Sequence, residues 1–283
     1  MIILSLNGGL GNQLFQIYTG LAYAIKYNVP CKISSIKVDM VSKTGDRRPT
    51  YWNNLLINLK LFIVEINLTH VYQYTEPSFH FIPIPKINFN FNLQGYFQSF
   101  KYFQDQKNEV DNLIGLKELR LNIISTYSQY LNTKKPIVSL HFRLGDYKYL
   151  TKFHAILDNA YYINAITFIK EALKIDQLVI LYFNEKQDDI IINEKISVLK
   201  SEFSNCEFIQ IDHSIEDWEQ LLIMSCCNHN IIANSSFSWW GAYLNTYERN
   251  IICYPDVWFG TKLLKKNTKD LFPNNWNKII AKK

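Results

Sequence analysis

The chain has 283 residues, 48% hydrophobic and 19% charged, with 18 Tyr, 18 Phe and 6 Trp, a composition that excludes a disordered protein and gives enough apolar surface for two domains. A net charge of +5 over this length is mild, and no basic stripe interleaved with aromatics is present, so nucleic acid is not an expected partner. Five cysteines without CxxC or Cys/His spacing predict neither a disulfide framework nor a zinc site; they read as small apolar residues of a reducing compartment.

The sequence begins with an apolar strand that runs from Met1 without a basic leader, and no apolar run approaches the roughly 20 residues of a membrane span. A cytosolic protein is expected. Lys262, Lys265, Lys266, Lys269, Lys282 and Lys283 read as a solvated end, with peripheral contact to an anionic membrane as the alternative. After the first strand comes NGGLGN, residues 7–12, and then apolar positions Leu14, Phe15, Tyr18, Leu21, Ala22 and Ile25 at helical spacing predict a helix over Gln13–Asn28. Pro30 ends it, and Cys31–Ile36 reads as a strand. From Thr44 to Phe91 the text is irregular and broken by Pro77, Pro83 and Pro85, with no long element expected.

Past Thr133-Lys134-Lys135-Pro136 the pattern is regular. Strands are expected at Ile137–Phe142, Gln177–Phe183, Cys206–Ile211, His229–Ala233 and Asn250–Tyr254. Helices are expected at Asn159–Leu173, Asp188–Lys200, Glu216–Cys226 and Phe237–Asn245. Such alternation predicts a parallel sheet wrapped on both faces, and a division into residues 1–134 and 135–283.

Three clusters carry chemistry. In NGGLGN, Gly8, Gly9 and Gly11 permit a ligand to approach the main chain at a helix start, though a tight turn explains them equally well. The dinucleotide fingerprint fails, because Leu14 stands where its last glycine belongs and Ser34, Ser35 and Lys37 stand where a ribose-binding carboxylate is needed. No phosphate loop of the GxxxxGK[ST] kind occurs. Asn7, Asn12 and Gln13 instead offer amides suited to sugar hydroxyls. In VSLHFRLGDY, His141 and Arg143 share one face at a strand's carboxyl end, where Arg143 suits a phosphate; an Arg143–Asp146 ion pair is the structural alternative. In ANSSFSWWGAYL, Ser235 or Ser236 caps a helix whose N-terminus suits a second phosphate contact, while Trp239 and Trp240, about 100 degrees apart on a helix, supply at least one core residue.

Together these clusters resemble glycosyltransferase family 11, the alpha-1,2-fucosyltransferases. The matching text is GGLGNQLFQ, LQGYFQSFKYF at 93–103, VSLHFRLGDY, SIEDWEQLLIMSCCNHNIIANSSFSWWGAYLN and YPDVWF at 254–259. The resemblance implies an α/β fold of GT-B type, two Rossmann-like domains facing a cleft, with the acceptor on the N-terminal side and the nucleotide sugar on the C-terminal side. It implies transfer of L-fucose from GDP-fucose to the 2-hydroxyl of a galactose-type glycan with inversion, and neither cofactor nor metal. Arg143 and His141 match the first arginine and the histidine of the family's HxRRGDY motif; the second arginine is Leu144 here. Asn234, Ser235, Ser236, Phe237 and Ser238 fall on its NSSFSWW segment, expected to hold the phosphates. Gly9, Gly11, Asn12 and Gln13 are placed at the donor as well, and Asp212 resembles a nucleoside-contacting position.

The acceptor hydroxyl must lose a proton. Asp146 is the positional candidate for the base, with Asp39, Asp46 and Glu76 as alternatives. Two rivals remain open at this stage. One keeps the fold and uses another nucleotide-deoxysugar or acceptor; the other is a non-catalytic glycan-binding protein.

Overall fold

The computed structural model describes residues 1–35 and 49–280. Lys37, Asp39, Asp46, the beginning of the irregular stretch at Thr44, Lys282 and Lys283 lie outside them. The chain divides into two compact units, residues 1–119 with 266–273, and residues 120–265 with 274–283. No helix among the described residues is long and apolar enough to cross a membrane.

The first unit opens with β1 (Ile2–Leu4), α1 (Leu10–Tyr27) and β2 (Cys31–Ser34). The helix begins three residues before its expected start, because Gly9 takes the extended N-cap position and its carbonyl already accepts the N–H groups of Asn12 and Gln13. It ends at Asn28, which adopts left-handed geometry two residues before Pro30. The stretch read as irregular holds more order than its prolines suggested: β3 (Ile63–Val64) and β4 (Tyr72–Thr75) form inside it and β5 (Phe91–Gln94) follows. All five strands are parallel, in the order β3-β2-β1-β5-β4. The chain thus works outward from β1 through β2 to β3, then returns to the other side of β1. That reversal of direction falls between β1 and β5, so the opening glycine loop leaves the sheet at its switch point.

Three helices follow, α2 (Lys107–Ile114), α3 (Leu116–Thr126) and α4 (Ser128–Leu131), with Gly115 at φ +78 turning the chain between the first two. The division between the units falls inside α3.

The second unit alternates as its sequence pattern requires: β6 (Ile137–His141), α5 (Asn159–Leu173), β7 (Val179–Phe183), α6 (Asp189–Glu202), β8 (Glu207–Gln210), α7 (Asp217–Cys226), β9 (His229–Ile231), α8 (Ser236–Tyr243) and β10 (Ile252–Pro255), with a further strand, β11 (Asn277–Ile279), that the pattern did not indicate. The sheet is parallel throughout, in the order β11-β10-β9-β6-β7-β8. Its central strands β6 and β7 are buried along their whole length, the state of a strand covered on both faces. Val138, Leu140 and Phe142 pack with Tyr161, Tyr162, Ile166 and Ile169 of α5 and with Ile192, Ile196 and Leu199 of α6. Both Trp239 and Trp240 are fully buried, Trp239 stacking on Tyr243 at 4.6 Å between centroids. Here the switch point lies between β6 and β9, the strands that run into HFRLGDY and NSSFSWW.

Candidate functional site

Beyond β6 the chain keeps its pairing for one more residue, Phe142 donating its N–H to Phe183 at 2.9 Å, and then leaves the sheet. Alternation turns Phe142 into the core, against Tyr162, and His141 and Arg143 to the other side. His141 is buried at 7% exposure beside the Phe237 ring, 5.6 Å between centroids. Its Nδ1 has no hydrogen-bond partner among the described residues. Desolvation, with the Arg143 charge adding to it, pushes the imidazole pKa down to about 3. It is therefore neutral across the working pH range.

Arg143 lies in a prepared cage. One Nη is bound by Asp146 and the other by Glu185, and the guanidinium sits 4.6 Å above the Tyr147 ring. Tyr147 is stacked in turn on His154, 4.0 Å away and 10° from parallel, and its hydroxyl donates to the Asn234 carbonyl at 3.2 Å. The ion pair with Asp146 that competed with the phosphate reading is thus present. Two carboxylates on one guanidinium give the cluster a net negative charge, so any anion must displace one of them to reach Arg143. Glu185, 43% exposed against 21% for Asp146, is the freer to move. Gly145 has φ +38, and a Cβ there meets Arg143 Nη1 and both Glu185 oxygens, so the cage requires glycine at this position.

Across the switch point, Ser235 caps α8 by accepting the Phe237 N–H at 3.3 Å. Ser236 and Phe237 are partly exposed at the helix start, where unpaired N–H groups and the helix dipole favour an anion. Asn234 and Ser238 are turned inward. The Asn234 amide donates to the carbonyls of Ala155 and Trp258, and the Ser238 hydroxyl faces those of Ala233 and Ser235 at 3.5 Å. Their contribution is to fix the turn, while the Asn234 Oδ1, buried without a partner among the described residues, remains an open acceptor.

Asp212 is not brought to this cluster. It follows β8, two strands from β6 in the sheet. Its exposed carboxylate accepts the Ser214 N–H at 2.8 Å, which lowers its pKa. Beside it His213 Nε2 lies 2.9 Å from Asp189 Oδ1, which also accepts from Gln210 and Asn184.

In the first unit, the opening loop is organised by amides, two of which the sequence did not single out. Gln16 accepts the Asn7 N–H and donates to the Asn7 and Asn12 carbonyls, while Gln98 donates to Asn12 Oδ1 at 2.7 Å. Gly8 takes φ +81, and a Cβ on it meets Asn12 Nδ2 at 2.7 Å and the Tyr96 ring at 3.3 Å; Gly9 faces open space. Gly11 is buried within α1. Gln13 is fully buried; its amide nitrogen donates to the carbonyls of Gly8 and Pro49 and so holds the loop from beneath, while its Oε1 has no partner among the described residues. Gln13→Ala is accordingly expected to lower the melting temperature, by an amount equivalent to about 1–3 kcal/mol for two lost hydrogen bonds, and to act on donor affinity chiefly through the loop's disorder. A thermal melt beside a nucleotide titration separates the two. Glu76, at the carboxyl end of β4, accepts the Tyr96 N–H at 3.0 Å, and burial raises its pKa.

Comparison with known proteins bears on what this geometry serves. Residues 4–280 match the family-wide pattern of glycosyl transferase family 11. The chain belongs to that family. An O-antigen biosynthesis glycosyltransferase of Escherichia coli, WbnK, is 28% identical, with 95% of this chain and 98% of that protein aligned. An alpha-1,2-colitosyltransferase of Escherichia coli is 26% identical over 99% of both. Among solved structures, the Escherichia coli ADP-heptose heptosyltransferase II gives a TM-score of 0.49 at 12% identity, covering 99% of this chain and 90% of that one. The NodZ alpha-1,6-fucosyltransferase crystallised with GDP gives 0.48 at 10% identity, covering 85% and 91%. This family 11 protein is a glycosyltransferase, and its α/β architecture of two units on parallel sheets is the one expected for the GT-B type.

Proposed function

We propose that this glycosyltransferase moves L-fucose from GDP-fucose to the 2-hydroxyl of a galactose-type acceptor, inverting the fucose anomeric carbon and using no metal ion. The observation that carries the reading is the coincidence at the switch point of the second sheet. Arg143 leaves β6 there, the buried His141 keeps an unpartnered nitrogen, and α8 opens immediately after β9.

During transfer the bond from the anomeric carbon to the diphosphate breaks with its electron pair on the phosphate oxygen, while the acceptor oxygen bonds to that carbon and passes its proton to a carboxylate base, the role for which Asp146 is the positional candidate. Negative charge therefore grows on the leaving group, and fixed positive charge aimed there lowers the barrier. Arg143 and the α8 N-terminus supply such charge. Neutral His141 adds a hydrogen bond without adding a cation. The chain also contains no Asp-x-Asp triplet, the usual carboxylate pattern for a metal-bound diphosphate. Sugar class and linkage draw support from family membership and from the colitosyltransferase relative.

That relative also favours a second reading, in which the donor sugar is colitose, a fucose without its 3-hydroxyl. The two differ by one hydroxyl, which a site discriminates strongly only by hydrogen-bonding it. Incubation with GDP-fucose, GDP-colitose and a dTDP-linked deoxysugar against a panel of galactosides, with EDTA present and products analysed by NMR for linkage and configuration, decides between them. The expected product is an alpha-1,2-fucosylated galactoside formed at the same rate with or without EDTA. Preference for GDP-colitose establishes the second reading, and a rate restored only by manganese overturns the metal-free scheme.

A further inference from the structure

The cage around Arg143 rests on a turn that is fixed from outside. Residues Gly145–Tyr149 form a short 3-10 stretch between the end of β6 and the loop that follows. Asp188, 43 positions later and at the start of α6, reaches back to it: Oδ2 accepts the Gly145 N–H at 2.7 Å, and Oδ1 binds the Lys148 ammonium. The Asp188 side chain is 1% exposed. One buried carboxylate thus fastens both ends of a turn whose middle residues, Asp146 and Tyr147, hold the guanidinium from the side and from below.

We infer that Asp188 is a positioning residue for diphosphate binding, acting through the Gly145–Tyr149 turn on Arg143. The inference rests on the reading of Arg143 given above. A buried ion pair contributes little net stability compared with an apolar filling of the same space, whereas its geometry specifies position. Position is what Arg143 requires, since a displacement of about 1 Å in a binding group costs on the order of a hundredfold in function. Glu185 differs in kind. It touches the guanidinium directly, is half exposed and can yield to a ligand, whereas Asp188 touches neither the guanidinium nor solvent.

The test is a double-mutant cycle read as the GDP dissociation constant by calorimetry at fixed salt. Asp188→Asn keeps an acceptor for Gly145 and loses the hold on Lys148; it is expected to weaken GDP about tenfold, and Asp188→Asn combined with Arg143→Ala is expected to bind no more weakly than Arg143→Ala alone. If Asp188→Asn does not fold, Lys148→Gln breaks the same pair from its exposed end and takes its place in the cycle. Wild-type affinity in the single variant, or a loss that persists undiminished without Arg143, overturns the positioning role. A wild-type protein that binds no GDP, or Arg143→Ala binding it as tightly as wild type, brings down the reading of Arg143 and this inference with it.

Discussion

Replacement of Arg143 by alanine is expected to lower the turnover of sugar transfer by about a thousandfold while the protein remains folded, the magnitude typical of removing a principal donor to a developing anion. The folded state tolerates the change because the side chain is partly exposed and its carboxylate partners are reached by water, so the lost ion pairs contribute little. Arg143→Lys is expected to recover little of the rate. An ammonium restores the charge but neither the planar fork that meets two phosphate oxygens nor the face that lies on Tyr147. Initial rates with saturating donor, set beside thermal melts, check both variants. Turnover near wild type in Arg143→Ala removes the residue from the leaving-group site.

Leu144 bears on the same expectation. Where the family motif has a second arginine, this chain has a residue at 5% exposure within the core of the second unit. A guanidinium at that depth must shed its hydration without a partner. Arg143 therefore carries alone whatever guanidinium chemistry the motif performs here.

The sequence announced the second unit because short strands rich in apolar residues, such as VILYF of β7, alternate there with helices of ordinary length, a pattern set in the central strands by burial on both faces. Strands β3 and β4 were hidden for the converse reason. They are two and four residues long, form the two edges of the sheet with partly exposed side chains, and β4 is followed closely by Pro77. Helices α2 and α3, separated by the left-handed turn at Gly115, were not read from the sequence at all. At the candidate site, His141, Arg143 and Ser235 were visible because strand ends and helix caps are local features. Glu185 and Asp188 were not. Their roles exist only because β6 and β7 lie side by side, bringing residues some forty positions apart into contact. The structural part of Gln13 was hidden for a related reason: the fold directs its amide nitrogen to two main-chain carbonyls, one of them 36 positions away.

Acid is expected to destabilise this protein steeply below pH 6.5, through two histidines buried in the neutral form. His141 has its pKa pushed to about 3 and His229 to about 4, in both cases chiefly by desolvation. His229 Nδ1 also accepts the Ile251 N–H at 3.0 Å, a bond that protonation destroys. In the unfolded chain each imidazole takes its proton near pH 6.5. As pH falls below that value the unfolded state binds protons that the folded state refuses, so the equilibrium moves toward unfolding. Each histidine contributes up to about 1.4 kcal/mol per pH unit, ending near pH 4 for His229 and near pH 3 for His141. Urea midpoints measured from pH 8 to 4 are expected to stay level above 7 and then decline at nearly the two-proton slope, a loss of several kcal/mol. His229→Asn retains an acceptor without a titrating ring, and it is expected to halve that slope while leaving the plateau close to wild type. An unchanged slope in this variant, or a decline that begins only where carboxylates titrate near pH 4, contradicts the assignment. The same argument separates stability from chemistry: because His141 stays neutral in the folded protein, transfer by the folded fraction is expected to show no inflection near pH 6.5.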